Sequence, residues 1–123
     1  MKIVPRNTDH IVKFVESFVQ NERKNRWLYL LEKDTEKLRM NSSKILKDLD
    51  AKFVVRDDDL KGIPSHKIKG VFYNIGDQEA KEVSLEEIVC GKHYFFDAIF
   101  SIEAGKKAIF LFHERENYVL NRQ

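Results

Sequence analysis

YFFDAIFSIEAGKKAIFLF, residues 94–112, holds two apolar runs of aromatic and branched residues, 94–102 and 108–112, around Glu103-Ala104-Gly105-Lys106. Such residues suit a pleated, half-buried surface, and Gly105 supplies the positive φ a tight connection needs. The stretch therefore reads as an antiparallel hairpin. Residues 118–120 (Tyr-Val-Leu) read as a further strand reached through polar residues 114–117. Upstream, residues 71–75 form a strand stopped by Gly76-Asp77, and Phe53-Val54-Val55 is a short β-prone run. Between them, Ser84-Leu85-Glu86-Glu87 has the spacing of a capping box, with Gly91 positioned to end the short helix that follows.

The first third has a different period. Ile11, Phe14, Val15, Phe18 and Val19 recur at helical spacing, with Thr8 as the expected N-cap. A second apolar group comprises Trp27, Leu28, Leu30 and Leu31, with Leu38 beyond. The polar stretch between the groups predicts a helix break near Gln20–Asn21. A third helix is expected over about 43–50, capped by Ser42 or Ser43, with Ile45, Leu46 and Leu49 inward. Helices come first and strands mostly later. That order predicts an α+β fold, with N-terminal helices on one face of a mostly antiparallel sheet of about four to five strands.

At 123 residues, with 42% hydrophobic and 34% charged, the chain is expected to form one domain over 1–123. No internal repeat or linker interrupts it. MKIVPR lacks an apolar run of signal-peptide length, no stretch matches a membrane span, and Cys90 has no disulfide partner. A cytoplasmic location is the default expectation, with no membrane partner.

The chemistry-bearing residues are sparse. Cys90 and His93 share a C-x-x-H spacing, but a zinc site needs three or four ligands. Cys90 reads as a small buried hydrophobe and His93 as a helix-end imidazole. Asp97 and His113 flank the hairpin, and Ser101, Ser65 and Cys90 are the available nucleophiles. None sits in a nucleophile motif, so Asp97 and His113 are read as facing water on an open sheet face. Asp57-Asp58-Asp59 departs from a calcium loop at its fifth and twelfth positions and reads as a solvated acidic loop. Residues 60–70 read as a surface loop. The scattered glycines form no phosphate-cradling motif. No catalytic set, cofactor site or metal site is assigned.

Net charge is +2, yet residues 21–56 carry ten basic groups against six acidic ones. Within that span Arg23, Lys24 and Arg26 stand beside Trp27 and Tyr29. Guanidinium groups and aromatic rings are favoured at protein interfaces, so Arg23, Lys24, Arg26 and Tyr29 are the candidate partner-binding residues. The expected function is a small non-catalytic protein-binding module, such as an immunity or regulatory protein of bacterial type. The alternative is an RNA- or DNA-associated module using residues 21–56, since cations neutralise phosphates and rings stack bases. A small hydrolase or metalloenzyme ranks third.

Overall fold

The computed structural model describes residues 5–41, 44–75, 79–112 and 116–122. Helix α1 runs over Pro5–Phe18 among the described residues. Thr8 therefore lies inside the helix rather than at its cap. Ile11, Phe14, Val15, Phe18 and Val19 are all buried, so the apolar stripe is the packed face.

The chain breaks after Phe18 for a tertiary reason. Val19 forms an isolated antiparallel bridge with Leu49. On either side of it, the Gln20 N–H donates to the Asp48 carbonyl at 2.8 Å and the Asp50 N–H to the Phe18 carbonyl at 2.7 Å. Helix α2 (Asn21–Lys33) then buries Trp27, Leu30 and Leu31. The Asp34 N–H closes it by donating to the Leu30 carbonyl at 3.0 Å, and the Asp34 side chain caps α3 (Thr35–Met40) by accepting the Lys37 N–H at 3.1 Å. Helix α4 (Ile45–Asp48) is a single turn, shorter than expected, because Leu49 is drawn into the extended bridge with Val19. The proposed caps Ser42 and Ser43 lie outside the described residues.

The strands are β1 (Val54–Arg56), β2 (Lys69–Asn74), β3 (Glu79–Ser84), β4 (Ala98–Glu103), β5 (Lys107–Phe112) and β6 (Glu116–Asn121). They form one antiparallel sheet in the order β1-β6-β5-β4-β2-β3. The fold is α+β as expected, with six strands rather than four or five. The additional strand is β3, an edge whose exposed Lys81 and Glu82 give it little apolar pattern. Charges of this kind also protect an open edge from pairing with other chains. Strand β4 starts at Ala98 rather than Tyr94, because residues 94–97 run past the end of β2. There Asn74 donates from Nδ2 to the Tyr94 carbonyl at 3.0 Å, and the Ile75 N–H donates to Asp97 at 3.2 Å. Gly105 takes φ +75° in the turn between β4 and β5.

Both faces of the sheet are covered. Tyr73, Ile75, Ile99, Phe110 and Leu120 pack with the buried stripes of α1 to α4. On the opposite face, Phe72, Phe100, Ile109, Leu111 and Val119 pack with Leu60, Ile63 and α5 (Leu85–Val89). The run from Ala98 to Ser101 is consequently buried without interruption, as a strand covered on both faces must be.

The short helix α5 has the expected capping box. Ser84 Oγ accepts the Glu87 N–H at 3.3 Å, while Glu87 Oε2 accepts the Ser84 N–H at 3.3 Å. Gly91 follows at φ +81°, donating to the Ile88 carbonyl while Lys92 donates to that of Glu87. These two bonds satisfy carbonyls the helix end would otherwise leave open.

Candidate functional site

The wet sheet face expected around Asp97 does not exist. Asp97 is 1% exposed just ahead of β4, where its carbonyl accepts the Ile75 N–H. His113 lies outside the described residues. Ser101 is equally buried and bonds through Oγ to His10 Nδ1 at 2.8 Å, joining α1 to β4. A serine sealed in this way ties the helix to the sheet and offers no nucleophile to solvent.

Cys90 is exposed, against the expectation of a buried hydrophobe. Its neighbour His93 turns elsewhere. His93 Nε2 lies 3.2 Å from Glu87 Oε1, and its ring packs 5.6 Å from that of Phe72. That bond, with the Ser84 N–H, holds the Glu87 carboxyl below its ordinary range. His93 therefore braces the end of α5 against Phe72 of the sheet. No group of three or more His, Cys, Asp or Glu among the described residues is placed to hold a metal.

Asp58 and Asp59 of the acidic triplet are exposed, as expected, while Asp57 and Asp58 also hold the loop in shape. Asp57 accepts the Lys61 N–H at 2.9 Å and the Gly62 N–H at 2.6 Å. Asp58 pairs with Arg56 and accepts the Asn117 N–H at 3.1 Å, which holds its carboxyl below the usual range. These bonds fix the start of the 60–70 segment. Leu60 and Ile63 are thereby buried against the sheet, so this surface loop is also part of the second core.

The basic segment forms a cleft. Arg23, Arg26, Trp27 and Leu30 fall on one face of α2, as three- and four-residue spacing dictates. Opposite stand Lys44, Lys47 and Asp48, with Gln20, Leu38 and Asn41 completing the walls of a cleft of about 360 Å³. Asp48 fastens the two sides. Its Oδ2 accepts the Trp27 indole N–H at 2.9 Å, and its Oδ1 lies 3.7 Å from Arg23 Nε. The Gln20 side-chain amide donates to the carbonyls of Lys47 and Leu49 at 2.8 and 3.3 Å, holding α4 in place behind the cleft. Four cations and one carboxylate line this space, an excess of three positive charges.

Of the residues singled out from sequence, Arg23 and Arg26 line the cleft, and Lys24 and Tyr29 do not. Lys24 is half-buried and Tyr29 is 59% exposed, both turned off the cleft by the helical rotation. Trp27 is only 4% exposed, with its indole N–H engaged. Lys44, Lys47 and Asp48 complete the site from a second element. Their only sequence signal was membership of the basic 21–56 segment, since the pairing of α4 with α2 is a tertiary contact. No helix is long and apolar enough to cross a membrane among the described residues. No family model, no curated protein and no solved structure matches the chain.

Proposed function

We propose that this protein is a small non-catalytic binding module that engages an acidic segment of another protein, in the manner of an occluding or regulatory partner. The observation that carries the reading is the cleft between α2 and α4. Its cations outnumber its acids by three, and its one carboxylate is already bonded to Trp27 and beside Arg23. Like charges gathered in a concave, partly apolar site raise the local concentration of an anionic partner and speed its association. A protein partner is favoured over nucleic acid by the placement of the aromatic groups. Trp27 is buried in the cleft floor and Tyr29 stands away from it, so neither ring is presented beside the cations to stack a base.

The experiment is affinity capture from native lysate with nuclease present, comparing the parent chain with an Arg26→Glu/Lys47→Glu double variant. Both positions are exposed and removed from the Asp48 bonds, so the melting curve should be unchanged. The expected result is a protein retained by the parent in a salt-sensitive manner and lost from the variant. Equal retention by both chains would refute the reading.

A further inference from the structure

We infer that the α2–α4 cleft is built to receive a phosphate monoester, carried on a side chain of the partner; this rests on the proposed reading of the cleft as the acidic-partner site. A single carboxylate would leave two of the three surplus charges uncompensated. A phosphate monoester carries about −1.5 to −2 at neutral pH and offers three acceptor oxygens.

The donors left in the cleft match that group. The side-chain amide nitrogens of Gln20 and Asn41 are engaged by backbone carbonyls, and the Trp27 N–H by Asp48. What remains is cationic. Arg26 makes no ion pair or side-chain hydrogen bond among the described residues, and Arg23 approaches Asp48 only through Nε, at 3.7 Å. Arg23 and Arg26, three residues apart on α2, thus line the cleft together with Lys44 and Lys47. Planar forks bind phosphate oxygens in pairs, while ammonium groups act as point charges beside them.

The space also exceeds the phosphoryl group alone. A water occupies about 30 Å³ of liquid, so 360 Å³ accommodates the group and part of its carrier.

Phenyl phosphate is the probe, titrated into the whole chain and read by calorimetry and by the fluorescence of Trp27, the sole tryptophan. Binding should be saturable and at least about tenfold tighter than for benzoate or phenyl sulfate, which carry one charge. It should weaken as pH falls through about 6, where the phosphate regains its second proton. Arg26→Gln should lose about tenfold or more, and Arg26→Lys should recover only part of that, because it restores charge without the fork. Equal affinity for phenyl phosphate and benzoate, or no saturable response, would overturn the inference. Phosphatase treatment of the captured partner identifies the source of the group. Loss of retention supports a phosphorylated side chain, whereas full retention overturns that assignment and leaves the acidic-partner reading standing. Retention by the Arg26→Glu/Lys47→Glu variant removes the acidic-partner reading itself.

Discussion

Replacing Phe18 by alanine should cost about 4–5 kcal/mol, toward the top of the range for a buried phenylalanine. Phe18 is fully buried at the end of α1, with its ring centroid 5.4 Å from Phe14 and 6.1 Å from Phe53 in an edge-on arrangement. Deleting it removes the transfer term, opens a cavity beneath α1 and forfeits both aromatic contacts, each worth about 0.5–1.5 kcal/mol. The Phe18 carbonyl still accepts the Asp50 N–H, so the backbone bridge to α4 gives no reason for wider unfolding. At about 0.05–0.15 kcal/mol per residue, a chain of this length has about 6–18 kcal/mol of stability to lose from. With a urea slope of about 2 kcal/mol/M, the unfolding midpoint should fall by about 2 M at unchanged slope. Phe18→Leu keeps most of the volume and should cost about 1.5 kcal/mol. A shift under about 0.5 M for Phe18→Ala would mean that this ring is not part of the core, and the packing of α1 on the sheet would be wrong.

Tyr73 is fully buried, and its hydroxyl has no hydrogen-bond partner among the described residues. Tyr73→Phe should therefore be neutral or stabilising by up to about 1–2 kcal/mol, read by urea denaturation. Burial pushes the Tyr73 phenol up to about 12 from an ordinary 10.0, so its contribution is complete below pH 10 and is lost as pH rises toward 12. The variant should flatten that alkaline limb. Glu87 shifts the other way, below its ordinary 4.5, through His93 and the Ser84 N–H. Its contribution is present above pH 4.5 and is lost as pH falls through the lower folded value, so Glu87→Gln should remove part of the acid-side slope of stability. Asp57→Ala frees the backbone N–H groups of Lys61 and Gly62 and should cost about 1–2 kcal/mol. Limited trypsin digestion should then cut sooner at Lys61 and Lys67; an unchanged digestion pattern would show that Leu60 and Ile63 hold the segment without it.

Signals confined to a few neighbouring residues were legible in the sequence. The α1 stripe, the capping box at Ser84 and Glu87, and the positive-φ glycines at 91 and 105 depend on local spacing and backbone sterics. So was the α+β class, because helical spacing marks the first part of the chain and β-prone apolar runs mostly the second. The amphipathic rotation of α2 also followed from spacing, although the sequence grouped Arg23 and Arg26 with Lys24 and Tyr29 as one surface.

Tertiary structure decided what lies opposite each face. Residues 60–70 have the composition of a surface loop, yet Leu60 and Ile63 close the second side of the sheet once Asp57 fixes the turn before them. Asp97, which local pattern had placed in water, is buried as well. Strand β3 is set by its pairing with β2, since an edge strand rich in charge carries little periodic signal. The cleft is the clearest case. Arg26 and Lys47 are far apart in sequence, and the bridge between Val19 and Leu49, with the Asp48 bonds to Trp27 and Arg23, brings α4 against α2. Local residue preferences act over one or two turns, whereas the placement of one helix against another depends on contacts whose sequence separation carries no local mark.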